Sequence, residues 1–460
     1  MNYDKMQLND ILPCLLFKEF VERINNWYGE LIAFKNYENC WTYHEVYIFI
    51  RRLISYFAKG KSQYYYVKTE NPLYFCISFF SIILSGKVIV LSISSLSQED
   101  FSEAEIVTEQ KIRQLLEKSR EREFPNQKNE NDLAVIVQSS GTTSVVKNVM
   151  LSQKNLLSNT ISGMRYYDYP LGAVYYNVLP YSHLFGLVAD MLGPLYSGGT
   201  ICFSENKLNF FRDIQIFKPT HLNLPPAMVY TMERMLNGIN THASFTGGKL
   251  QKIMCAGAAI DEEICKRVKK RGISIFPAYG LTECSPCVSL NCDKFMKEGS
   301  VGKVLPCCKV KIIEGEVVVK GDNVMLGYWN DAVETNRIMH DGWLYTGDLG
   351  YIDDEGFLYL TGRKSNIIVF EDGTKLMPEL LESKILSISG VSECLVKKEI
   401  LMERIRISVM VVLNDIEDEN VIDKMIRSCT KEIGVLNRLY KIYILDEELP
   451  KNKLGKIIRS

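Results

Sequence analysis

A β-branched run, Val135-Ile136-Val137, leads into Gln138-Ser139-Ser140-Gly141-Thr142-Thr143-Ser144 and then Val145-Val146-Lys147-Asn148-Val149. A strand that opens into hydroxyls, a glycine and a lysine has the parts to hold a phosphate chain. Backbone N–H groups form a concave nest, hydroxyls add donors, and the lysine supplies charge. The spacing is not that of a Walker loop, which needs G-x-x-x-x-G-K-[ST]. Taken alone, such a run is equally an ordinary surface turn.

Further polar clusters come in order along the chain. They are Pro180-Tyr181-Ser182-His183-Leu184-Phe185-Gly186, then Ala278-Tyr279-Gly280-Leu281-Thr282-Glu283-Cys284-Ser285-Pro286, then Trp343-Leu344-Tyr345-Thr346-Gly347-Asp348. After them come Gly362-Arg363-Lys364-Ser365-Asn366 and finally Pro450-Lys451-Asn452-Lys453-Leu454-Gly455-Lys456. Singly, each has a plain alternative. Asp348 and Glu283 serve equally as turn or capping acids, Tyr279 as core, His183 as a pocket wall and Lys456 as a solvated tail lysine.

In this order, from about Trp41 to Arg459, the motifs resemble those of the adenylate-forming superfamily, the acyl- and aryl-CoA synthetases, adenylation domains and luciferases. Tyr279 to Pro286 and the run Gly362-Arg363-Lys364-Ser365-Asn366-Ile367-Ile368-Val369 look most like long-chain fatty acid–CoA ligases. The resemblance implies ATP-dependent conversion of a hydrophobic carboxylic acid, most like a fatty acid, to an acyl-AMP. The acyl group then passes to the thiol of coenzyme A or of the phosphopantetheine on an acyl or peptidyl carrier protein. An anion must meet a polyanion in the first step, so cations and N–H donors at the phosphates are the main catalytic need.

The resemblance also assigns roles. Ser139, Ser140, Gly141, Thr142, Thr143 and Lys147 would hold the outer phosphates of ATP. Tyr279 would stack on adenine beside Gly280, with Gly257, Ala258 and Ala259 nearby. Thr282 would donate to the α-phosphate. Glu283 would bind Mg2+, which accepts one or two carboxylates plus phosphate oxygens. Asp348, assisted by Arg363, would accept from the ribose hydroxyls. Lys456 would approach the α-phosphate and the acyl carboxylate, and His183 would sit by the acyl group. The terminal domain would turn about Ser365 between the two half-reactions, where relatives have Asp or Lys.

The chain departs from that pattern in places. Ser144, Val146 and Asn148 stand where the family has Gly, Pro and Gly, and Val145-Val146 is stiff at χ1. Asn148 is a residue type that still visits positive φ. Asn452 replaces a frequent Thr, and the stretch 93–132 is shorter than usual. A non-catalytic nucleotide- or acyl-binding relative therefore stands as the alternative.

The elements that must position these residues alternate through the first 300 residues or so. Strands are expected at 64–67, 87–93, 175–179, 220–224, 252–255 and 274–277, with helices at 73–84 and 105–122. From 299 onward a hairpin at 309–313 and 316–320 precedes a meander of 343–345, 350–352 and 357–360. Then a strand at 405–413, an amphipathic helix bearing Val421, Ile422, Met425 and Ile426, and a strand at 441–445 form an α+β unit of about 100 residues. The expected fold is α/β. A large N-terminal domain, 1–361, holds parallel-sheet α/β subdomains and a β-rich subdomain, and a small mobile α+β domain spans 362–460.

Composition agrees. Hydrophobic residues make up 47% of the 460 and charged ones 24%, and the net charge of -1 gives no bulk pull toward nucleic acid. The 13 cysteines are odd in number and many lie in apolar runs, which fits reduced thiols in a cytoplasmic protein. Cys284 and Cys287 form a C-x-x-C without a second pair. The first 20 residues carry Asp4 and Asp10 and lack a basic region before an apolar core, unlike a signal peptide. The apolar run 73–84 is too short to span a bilayer.

The altered loop predicts weakened ATP binding with the chemistry retained. A Ser144→Gly/Asn148→Gly variant should show a lower ATP KM than the wild type; a wild-type KM already as low would contradict this.

Overall fold

A computed structural model describes residues 15–91, 101–125, 129–139, 147–167, 170–204, 209–237, 246–388, 390–401, 404–413, 419–451 and 457–459. Its architecture is the expected α/β one, built on two mostly parallel sheets and a β-rich unit. The six-stranded sheet runs Gly327–Tyr328, Lys147–Ser152, Leu133–Ser139, Val88–Val90, Tyr64–Lys68, Glu105–Thr108. Its last four strands are mutually parallel, and Lys147–Ser152 turns back antiparallel on Leu133–Ser139. In the nine-stranded sheet, Ser274–Gly280, Lys252–Cys255, His221–Leu224, Val174–Tyr176, Thr200–Cys202 and Ile32–Lys35 form the parallel centre. Central strands of such sheets are covered on both faces, so they must be apolar throughout. Val88–Val90 is buried at every position.

The apolar run at 73–84 is a helix, Pro72–Leu84, started by the Asn71 side chain, which accepts from the N–H groups of Leu73 and Tyr74. All its residues except Tyr74 are buried. Its hydrophobicity thus answers to protein on all sides. No described helix is long and apolar enough to cross a membrane.

Two expected elements change. Residues 105–108 are a strand, Glu105–Thr108, beside Tyr64–Lys68, and only Glu109–Lys118 is helical. The β-branched Ile106, Val107 and Thr108 favour the sheet edge, and Thr108 then caps the helix by accepting from Lys111 N–H. The expected strands at 343–345 and 350–352 are one strand, Trp343–Ile352. It pairs with Glu316–Gly321 on one side and Leu358–Arg363 on the other. Gly347, at φ 74°, and a bulge at Leu349/Gly350 let it bend without breaking. The hairpin Cys308–Ile313/Glu316–Gly321 turns on Glu314 and Gly315, with φ of 51° and 81°. That is the pair of positive φ values a two-residue hairpin of matching twist requires.

Beyond Leu358–Arg363 a separate core begins. Leu381 and Ile385 of the helix Pro378–Leu386 and Ile422 and Ile426 of Glu419–Glu432 pack with Val409. Val409 lies in the sheet Val391–Leu401, Arg404–Leu413, Leu439–Leu445.

His221 exposes 1% of its surface within the nine-stranded sheet, and its Nδ1 lies 2.8 Å from Thr220 Oγ1. Burial, helped by the Lys252 ammonium and opposed by Asp293, lowers its pKa from 6.5 to about 4. Between those values the unfolded chain binds a proton that the folded chain refuses, so stability falls as pH falls through that window. In His221→Asn that fall should be shallower. Urea midpoints measured from pH 7 to 4 check it, and parallel curves for the two proteins would refute it.

Candidate active site

The phosphate-loop candidate is a hairpin. Ser139 ends one strand directly opposite Lys147, which starts the next. Ser140, Gly141, Thr142 and Thr143 lie outside the described residues. Lys147 Nζ is ion-paired with Glu334 and stands 5.1 Å from the centre of the Tyr328 ring. Glu334 is also gripped by Arg337, whose Nε and Nη2 donate at 2.5 and 2.7 Å. Arg337 first, then Lys147, hold its carboxyl down at about 2 against the opposing effect of burial. Asn148 lies in the strand opposite Gln138, and its carbonyl accepts from Trp329 N–H at 2.7 Å. Its backbone is extended and needs no positive φ. Glycine there would bring no conformational gain, so the loop's expected weakness rests on Ser144 and the Val145-Val146 pair.

The strand Ser274–Gly280 delivers the second cluster into one turn of 3-10 helix, Thr282–Cys284. A Cβ on Gly280 would stand 2.0 Å from the Pro286 carbonyl oxygen, which accepts from Leu281 N–H at 2.8 Å. Only glycine permits this approach. The Tyr279 hydroxyl donates to Asp348 Oδ2 at 2.7 Å. Burial, then the Asp348 charge, pushes the phenol well above its usual range. Arg363, opposite Asp348 in the sheet register, brings its Nε within 3.5 Å of Oδ1. Glu283 accepts from the Tyr328 hydroxyl at 2.7 Å through its carboxylate and from Met325 N–H at 2.9 Å through its carbonyl.

His183 sits at the end of a turn in which its N–H donates to Pro180 O, and its own carbonyl accepts from Leu187 N–H. The chain then enters a π-helix, Gly186–Leu192. Buried Asp190 in that helix accepts from Leu179 N–H at 3.0 Å and from the Asn223 amide at 2.7 Å, which fixes the approach to His183.

These pieces enclose a cavity of 710 Å³. Ser139, Lys147, His183, Gly257, Tyr279, Gly280, Thr282, Glu283, Arg363 and Ser365 all line it. Asp348 does not line it but is joined to it through Tyr279 and Arg363. Ala258 is exposed and outside the lining. Lys456 lies outside the described residues. Next to Ser365, Lys364 Nζ reaches Glu316 Oε2 at 2.9 Å, and Glu316 Oε1 accepts from Gly347 N–H.

The described residues contain no cluster of three or more His, Cys, Asp or Glu able to hold a metal by themselves. The lone Glu283 carboxylate suits a magnesium ion that keeps water and phosphate oxygens as its other ligands. The C-x-x-C thiols Cys284 and Cys287 are free.

Sequence reasoning missed Asn159. It exposes 1% of its surface. Its amide donates to the carbonyls of Cys284 and Cys287 at 3.2 and 2.6 Å, and its Oδ1 accepts from Cys287 N–H at 3.3 Å. One turn earlier on the same helix, Gln153–Tyr166, Asn155 donates to the carbonyls of Asp322 and Val324. Two asparagines four apart on one helical face were the available signal.

Residues 85–329 match the family described as AMP-binding enzyme. The chain is 30% identical over 357 residues to a long-chain-fatty-acid–CoA ligase of Bacillus subtilis, a match covering 72% of this chain and 61% of that one. It thus spans about three fifths of the length of that relative. It is 29% identical over 344 residues to a 2-succinylbenzoate–CoA ligase of Bacillus cytotoxicus, covering 70% and 68% of the two. The fold superposes on an o-succinylbenzoate CoA synthetase of Bacillus subtilis with a TM-score of 0.82, at 22% identity and 97% coverage of both chains. That structure holds the acyl-adenylate intermediate. The same enzyme is also solved with ATP and a magnesium ion, at TM-score 0.79, 22% identity and coverage of 96% of this chain and 98% of that one.

Replacing Asn159 by Ala strands the Cys284 carbonyl and the Cys287 N–H in a buried turn, while the Cys287 carbonyl keeps the Asn323 amide. The expected loss is about 1–3 kcal/mol of stability, read as a lower urea midpoint. An unchanged midpoint would mean that the turn finds other partners.

Proposed function

The chain belongs to the AMP-binding enzymes, and on that premise we propose that it is an ATP-dependent acid–thiol ligase. A carboxylate oxygen attacks the α-phosphorus of ATP, pyrophosphate leaves, and a mixed acyl-AMP anhydride results. A thiol sulfur then attacks the acyl carbon, loses its proton, and AMP departs. The acid is hydrophobic, most like a fatty acid, and the acceptor is coenzyme A or a carrier protein's phosphopantetheine.

One observation carries this reading. Ser139, Lys147, Tyr279, Thr282, Glu283 and Arg363, scattered along the chain, converge on a single cavity with Asp348 tied to its wall. Ser139 to Thr143 and Lys147 hold the outer phosphates, and Thr282 donates to the α-phosphate. Glu283 holds magnesium, which supplies charge neutralisation at the phosphates when bound. Tyr279, beside Gly280 and Gly257, meets the adenine, while Asp348 and Arg363 take the ribose. Lys456 neutralises the charge that develops in transfer, and His183 flanks the acyl group. The unit 362–460, with its own core, swings about Ser365 relative to 1–361 and withdraws Lys456 for the second step. The free thiols of the described residues support a cytoplasmic location.

A non-catalytic relative is favoured by the altered phosphate loop and by the neutralisation of Lys147 by Glu334. Exchange of labelled pyrophosphate into ATP separates the two. The ligase should exchange in the presence of an acid, and Lys456→Ala should reduce the rate by about a hundredfold or more. No exchange with any acid across a broad panel would leave the non-catalytic reading. AMP release with coenzyme A against holo carrier protein then identifies the acceptor.

A further inference from the structure

Gly163 lies in the interior of the helix Gln153–Tyr166, where glycine is the least favourable residue after proline. Two structural reasons commonly retain a glycine, and neither applies. Its φ is not left-handed, and beyond its chain neighbours and its own helix backbone a Cβ built on it would meet no atom within 4 Å. The other described glycines with equally open surroundings all have positive φ. Yet Gly163 is buried and lines the 710 Å³ cavity. A buried position with open space at its missing Cβ, in the cavity's lining, opens onto the cavity.

The lining that Gly163 shares is mixed, with Asn159 and Thr160 one turn before it on the helix, together with apolar side chains. Met164 comes from the same helix, and Leu184, Phe185, Val188 and Ala189 come from the segment that carries His183. Among the described residues, every lysine and arginine that lines the cavity is already paired with a carboxylate of the chain. Lys147 and Arg337 share Glu334, Arg363 has Asp348, and Lys364 has Glu316.

We infer that Gly163 sets the reach of the acyl arm, the extended apolar tail of the substrate acid running past this residue. The inference rests on the acid-activating function proposed above. A leucine at 163 shortens the arm, and the helix tolerates it well.

The test is pyrophosphate exchange with saturated fatty acids of increasing length, using the full chain. The wild type should favour the longer fatty acids. Gly163→Leu should cut kcat/KM for the longest by about tenfold or more and for the shortest least, with Gly163→Ala between. The thermal midpoint should hold or rise, which excludes misfolding as the cause. A length profile unchanged in Gly163→Leu would overturn the inference. Displacement of a fluorescent fatty acid, measured without ATP, separates the two levels. Probe binding that weakens in Gly163→Leu, with no exchange from any acid, would keep the arm and remove the ligase function. Absence of both binding and exchange would overturn the arm as well.

Discussion

The site depends on one phenol. The Tyr279 hydroxyl reaches from the end of a strand in the nine-stranded sheet to Asp348 in the β-rich sheet, at 2.7 Å. That bond sets the distance between the turn bearing Thr282 and Glu283 and the strand pair bearing Asp348 and Arg363. Tyr279 is buried and Asp348 half-buried, so a phenol left without its partner would be costly there. Asn155 and Asn159 do the complementary work from below, pinning the loops at 322–324 and 284–287 to one helix. A cavity assembled from separate sheets keeps its shape because such bonds join them.

The cavity is electrostatically balanced before anything enters it. Its described lysines and arginines face carboxylates that the chain itself supplies. Partly exposed pairs of this kind are individually weak. A polyanion can therefore take a cation from its partner at modest cost. Glu334 in particular keeps Arg337 when Lys147 leaves it, so the exchange strands no charge.

The sequence made the turn-centred motifs legible, because each depends on a residue type with few substitutes. Gly280 is forced by the approach of the Pro286 carbonyl, and Glu314-Gly315 by the hairpin. Buried parallel strands and the apolar helix at 72–84 were legible for the same reason, since continuous apolar runs have few other uses. What stayed hidden was set by distant partners. Whether 343–352 bends or breaks depends on strands on both sides of it. The strand at 105–108 needed a neighbour forty residues away, and Asn148 needed Gln138 across the hairpin. Glu316, Glu334 and Asn159 look like ordinary polar residues until the fold brings them to Lys364, Lys147 and the turn at 284–287.

The wide coil at Gly186–Leu192 has a further consequence. Its closing bond, from Gly193 N–H to Val188 O, spans five residues where an α-helix spans four. Each residue of an α-helix advances about 100° around the axis. A chain one residue shorter in this coil would wind regularly and turn everything before it, His183 included, by about that angle relative to the helix Gly193–Tyr196. The imidazole's direction is thus counted out in residues, and the spacing between Pro180 and Gly193 is as much a part of the candidate site as any side chain in it.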